Sequence, residues 1–235
     1  MNRRRSRVSS PAMATLAALA AVLVLRASLA ASPDGTAPAG APPFALPFAA
    51  APGPATWLVG QLYGNTTSAY FQADEWYAAG QGLHFGIDLL APCGTPVVSI
   101  GDGEVVQADW TARGSGPHNL IVRHPREAVT VLYGHLLERP DLAPGEIVAR
   151  GQVVGLSGDP DETCRSRPHL HLEIRTLDYR TAYNPVRWID ADWDGLMLVG
   201  PFSDVVFALD KSAPLRWVRA EDQPDVQFGG AGCNA

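Results

Sequence analysis

Between Trp57 and Pro185 the chain falls into short runs rich in Val, Ile, Leu and Thr, each cut off by Gly, Pro or Asp. Such runs are too short to carry an amphipathic helix, which needs about 10 residues or more with apolar positions every three or four. They suit strands closed by turns, so the segment is predicted to be all-β. Residues 95–100 and 104–108 flank Gly101-Asp102-Gly103, where two glycines suggest a hairpin. A second hairpin is predicted from 119–124 and 129–135 around residues 125–128. Residues 147–149 and 153–156 enclose Arg150-Gly151-Gln152, and 169–176 read as the last strand.

The two ends differ from this pattern. Arg3, Arg4, Arg5 and Arg7 precede an apolar run from Met13 to Leu25, then Ala27-Ser28-Leu29-Ala30, the order of a secretory signal peptide over residues 1–30 cut near Ala30. The apolar run is shorter than the ~20 residues of a membrane-crossing helix, so no stable span is expected after cleavage. Residues 31–54, rich in Ala, Pro and Gly, read as a linker. The strand-rich domain is assigned to 55–185. Residues 186–235 hold Trp188, Trp193, Phe202, Phe207, Trp217 and Phe228 and are expected to pack on it, beginning with a short helix over 186–193.

Removing residues 1–30 takes away five arginines and no acids, leaving 18 − 5 = 13 basic against 24 acidic residues, a formal charge of 13 − 24 = −11. No Lys/Arg cluster remains to displace counterions from phosphates, which argues against a nucleic-acid partner. A monomer is expected, outside the cytoplasmic membrane, secreted or in the cell envelope. Export would expose Cys93, Cys164 and Cys233 to oxidising conditions, giving one disulfide and one leftover thiol. Spacing alone does not fix the pairing. If the segments around Asp88 and His169 meet at one metal, Cys93 to Cys164 is the first choice.

Four of the six histidines fall in compact contexts: His84-Phe85-Gly86-Ile87-Asp88, Tyr133-Gly134-His135 and His169-Leu170-His171. On a strand His169 and His171 share a face, with backbone positions roughly 6 to 7 Å apart, so one can ligate an ion while the other reaches the reacting groups. A straight strand would separate His84 from Asp88 by ~13 Å, too far for one ion. Gly86 is therefore expected to bend the chain between them. Two imidazoles and a carboxylate leave one tetrahedral position open, as suits catalytic zinc. His135 and His169 are expected to flank the nucleophile and the oxyanion, in an order the sequence leaves open. His118 and His124 read as structural.

These residues resemble the lysostaphin-like, LytM-type zinc peptidases that cut peptidoglycan cross-links. The likeness runs from about His84 to Pro185 through HFGIDLLAPCGTPVVSIGDGEVV, the VRH of Val122 to His124, YGHL, GEIVARGQVVGLSG and PHLHLEIR. It implies a compact antiparallel β domain with a groove, one Zn2+ held by His84, Asp88 and His171, and catalytic roles for His135 and His169. It also implies peptidoglycan or cell-wall peptides as substrate. Two departures stand out: the loop Gly158-Asp159-Pro160-Asp161-Glu162-Thr163-Cys164-Arg165-Ser166-Arg167, where relatives carry a small Thr/Gly/Ser-rich loop, and Ser115-Gly116-Pro117-His118. The charged loop puts a preference for glycine bridges in doubt. Two further possibilities are a non-catalytic member that binds wall material or activates an amidase, and a zinc peptidase of secreted proteins.

Overall fold

The computed structural model describes residues 40–112, 116, 118–199, 208–209 and 217–228. The expected signal peptide, the first part of the linker (31–39), Ser115, Pro117, Phe202, Phe207 and Cys233 lie outside the described residues.

Along the chain come β1 (Leu58–Gln61), a short helix α1 (Thr67–Phe71), β2 (Ile87–Leu90), β3 (Pro96–Val98), β4 (Gly103–Ala108), β5 (Asn119–His124) and β6 (Val129–Gly134). Then follow β7 (Ile147–Val148), β8 (Val153–Leu156), β9 (His169–Thr176), β10 (Thr181–Tyr183), helix α2 (Trp193–Val199), β11 (Ala208–Leu209), β12 (Trp217–Val218) and β13 (Val226–Gln227). The main sheet runs β1-β2-β9-β6-β5-β4-β7, with β10 joined to β9 and β13 to β10. Its ladders are antiparallel, as the family resemblance implied.

Strand β9 shows how the pattern becomes a layer. Leu170, Leu172 and Ile174 are fully buried in the core, while His169, His171, Glu173 and Arg175 line the opposite face. A period of two thus gives one apolar face and one chemical face. On β2, Ile87 and Leu89 enter the same core and leave Asp88 on the face shared with His171.

The hairpin expected around Gly101-Asp102-Gly103 does not form: β3 pairs with β8, whereas β4 pairs with β5 and β7. Between β3 and β4 the chain turns a corner, pinned where Ser99 N–H donates to Gln152 O at 2.8 Å and Ile100 N–H to the Tyr133 hydroxyl at 3.0 Å. The glycines serve close packing here. A Cβ on Gly101 would sit 2.8 Å from the Phe44 ring, and one on Gly103 2.6 Å from Val122 Cγ1. The second expected hairpin, β5–β6, is present.

Residues 40–54 depart from the linker expectation. Phe44 and Phe48 are buried in the main core, Phe44 bridges to Ile189 in parallel, and the Trp57 indole N–H donates to Ala50 O at 2.7 Å. Two aromatic anchors bury enough apolar surface to order a segment whose average composition argues against it. The described part of the extension packs on the domain: Trp188, Ile189, Trp193 and Leu196 enter the core, and β13 extends the sheet. The expected helix over 186–193 is instead a 3-10 turn, Pro185–Arg187, followed by α2.

Candidate metal centre

Asp88 is the register partner of His171 across β2 and β9, and Gly134, just before His135, is its partner across β6 and β9. His84 lies outside β2, held by an antiparallel bridge to Gly64. The chain bends at Gly86 as expected, and the glycine also allows a close approach: a Cβ there would lie 2.5 Å from His171 Cε1 and 2.8 Å from Leu172 O. Its missing side chain lets the His171 ring lie against the backbone of β2's approach.

Three donor atoms converge: His84 Nε2 to Asp88 Oδ1 is 3.3 Å, His84 Nε2 to His171 Nδ1 is 3.3 Å, and His171 Nδ1 to Asp88 Oδ1 is 2.7 Å. Among the described residues this is the group of His, Cys, Asp or Glu able to hold a metal ion. Their outer contacts fix the tautomers. His84 Nδ1 faces Leu62 O at 2.8 Å and His171 Nε2 faces Glu173 Oε1 at 3.1 Å, so each of these nitrogens carries the proton and donates. The inward nitrogens then present lone pairs to each other and to a carboxylate, an arrangement that calls for a cation or a proton. Tetrahedral bonds of about 2.0–2.1 Å would set ligand atoms about 3.3–3.4 Å apart, close to two of the three observed edges. The donor set fits zinc.

The electrostatics agree. Burial alone would raise Asp88, but facing His84, His169 and His171 holds it well below the usual carboxylate range. Burial would lower His171, yet its bonds to Asp88 and Glu173 outweigh that and lift it to about 9. Glu173 is itself kept low, against its burial, by Arg175 and His171.

The other two histidines stand beside this cluster. His169 Nε2 is 3.7 Å from Asp88 Oδ1, and its Nδ1–H donates to Arg167 O at 2.6 Å. His135 donates from Nδ1 to Gly116 O at 2.8 Å, and its ring centroid is 4.7 Å from that of His169. Its φ of 55° is left-handed, uncommon for a residue with a side chain and concentrated at functional sites. Burial, with His171 and His169 adding to it, lowers His135 to about 3, so its imidazole is neutral near neutral pH. His118 and His124 lie apart, His118 on Asp109 at 3.0 Å and His124 on Asp102 O at 2.9 Å.

A cleft of about 800 Å³ opens over these residues. One wall is the loop before β9, tied by the expected Cys93–Cys164 disulfide. At one end Phe228, from the extension, packs edge-on against Phe85 with centroids 5.2 Å apart. Glu173 is a site residue beyond those expected from the sequence, although the alternation that pairs His169 with His171 continues to it. The carbonyls of Leu62, Gly116 and Arg167 have no such signal.

Comparison with known proteins bears on the same segment. Residues 82–185 match the profile of Peptidase family M23. The catalytic domain of lysostaphin from Staphylococcus simulans is 30% identical, with 45% of this chain and 77% of that one covered and a TM-score of 0.39. The chain belongs to peptidase family M23. Among curated relatives, glycyl-glycine endopeptidase ALE-1 of Staphylococcus capitis is 32% identical over 110 residues, 46% of this chain and 29% of that protein. DD-carboxypeptidase/endopeptidase Mpg of Neisseria meningitidis is 37% identical over 93 residues, 40% of this chain and 20% of that protein. The chain thus spans under a third of the length of these two relatives.

Proposed function

We propose that the protein is a zinc-dependent endopeptidase acting on peptide bonds in peptidoglycan stems or cross-bridges, outside the cytoplasmic membrane. The observation that carries this reading is the cluster of inward-facing lone pairs on His84 and His171 beside Asp88, at the floor of an open cleft. Zinc bound there would supply Lewis acidity, polarising a carbonyl and lowering the pKa of water. His84, Asp88 and His171 would hold it, oriented by Leu62 O and Glu173.

His135 and His169 each keep a proton on Nδ1 and leave Nε2 free to accept one. With His135 neutral at working pH, its Nε2 is open to take a proton from the nucleophile and, once protonated, to pass that proton to the leaving amine. Among the described residues no helix is long and apolar enough to cross a membrane. Relatives named for endopeptidase activity on glycyl-glycine bonds, or for DD-carboxypeptidase/endopeptidase activity, support a wall-peptide substrate.

The test is digestion of purified cell wall, with and without a chelator, followed by mass spectrometry of the released fragments. New amino termini that vanish with chelator are expected. Intact wall in both arms would favour a non-catalytic wall-binding or amidase-activating role.

A further inference from the structure

Arg167 lines the main cleft, and it also lines a second depression of about 490 Å³ that shares Ser166 and His169 with it. Its guanidinium lies over the Trp76 ring, 4.7 Å from the centroid. Stacking of this kind occupies the flat face of the group and leaves its N–H donors at the edge. No carboxylate among the described residues pairs with it. Arg175, the other guanidinium lining the cleft, is already paired with Glu173. Asp161 lines the same wall, but its Oδ1 accepts from the Thr163 backbone N–H at 3.0 Å and hydroxyl at 2.7 Å.

The backbone beneath Arg167 is firmly set. Its N–H donates to Asp159 Oδ2 at 3.3 Å, its carbonyl accepts from His169, and Pro168 restricts it to extended geometry. Asp159 is 2% exposed and also accepts from the Ser166 N–H and hydroxyl. The same loop is tied through Cys164 to Cys93. An arginine on such a base, in a chain with excess acid, keeps its donors aimed at a fixed place.

We propose that Arg167 is a carboxylate clamp, and that the preferred substrate carries a free carboxylate beside the bond to be cut. This rests on the endopeptidase reading above. The planar fork matches a carboxylate in two parallel hydrogen bonds, which an uncharged glycine bridge cannot offer. The carboxylate could be a chain terminus or a branch on a cross-linking residue, and both share this chemistry.

The test uses synthetic cross-linked peptides in acid and amide pairs, one pair differing at the terminus and one at the branch, with the zinc-loaded full chain. The acid form is expected to have the higher kcat/KM in one pair, which identifies the source. Arg167→Gln should reduce the acid-over-amide ratio roughly tenfold, the scale of a charge-assisted hydrogen bond. Arg167→Lys should fall between, since it keeps charge and loses the fork.

Calorimetric binding of the same peptides is measured alongside. Binding that favours acid over amide, lost in Arg167→Gln, supports the clamp even if no bond is cut, an outcome that would overturn the endopeptidase reading instead. Equal binding and turnover of acid and amide by the unsubstituted protein would overturn the clamp. So would an unchanged ratio in Arg167→Gln.

Discussion

Asp88 and His171 stand opposite each other in the β2–β9 ladder, with Oδ1 2.7 Å from Nδ1. Register therefore sets the site: a slip of one residue would turn one of the two side chains into the core. The same ladder orients His171 from behind, because Glu173 shares its face and holds Nε2.

Glu173→Gln should weaken zinc binding by about 10- to 100-fold, the usual effect of removing a partner that orients a metal-bound imidazole. Competition with a chromophoric chelator measures this without reference to turnover. Unaltered affinity would show that the ladder orients His171 without help.

Binding of zinc should release about one proton per chain at pH 7. In the metal-free protein His171 is lifted to about 9, so it holds a proton at pH 7 that a metal must displace. Apparent affinity should thus fall about tenfold per unit as pH drops from 9 to 7. Calorimetry in buffers of different ionisation enthalpy counts the proton, and a count near zero contradicts the assignment.

His135→Ala and His169→Ala should each reduce kcat by about 10²- to 10⁴-fold with zinc content retained. Near-normal turnover in either variant removes that histidine from the chemistry. Loss of zinc together with activity would recast it as a support of the metal cluster.

Breaking the Cys93–Cys164 bridge, whose cysteines are 71 residues apart, should cost roughly 2 to 4 kcal/mol. Thermal unfolding of the Cys93→Ser/Cys164→Ser protein should show Tm lowered by roughly 5 to 15 °C. An unchanged Tm would mean that the loop is held by Asp159 and its partners alone.

His124 gives the fold a pH dependence separate from the metal. It is fully buried, packs against Phe44, and burial lowers it to about 4 from a usual 6.5. Below pH 6.5 the unfolded chain binds a proton that the folded one refuses, so stability is present above 6.5 and is lost as pH falls toward 4. The loss approaches on the order of 3 kcal/mol, at about 1.4 kcal/mol per pH unit. Urea unfolding from pH 7 to 4 should show this slope, and His124→Gln should flatten it.

The strands were legible where a period of two met a clear break, as in β5, β6 and β9. The corner at Gly101 was not, because glycine in a turn and glycine beneath an aromatic ring are written with the same letter. Residues 40–54 misled for a related reason: composition averages over a segment, while Phe44 and Phe48 act singly.

For the site, the sequence by itself determined the donor types, the shared face of His169 and His171, and the need for a break between His84 and Asp88. Strand geometry is local, so these follow from a few adjacent residues. Only the tertiary structure decided that Asp88 meets His171, that carbonyls of Leu62, Gly116 and Arg167 fix the imidazole tautomers, and that Arg167 lies on Trp76. Those contacts join positions far apart in the chain or use backbone atoms common to every residue, and their partners are chosen by sheet register and loop path rather than by any local pattern.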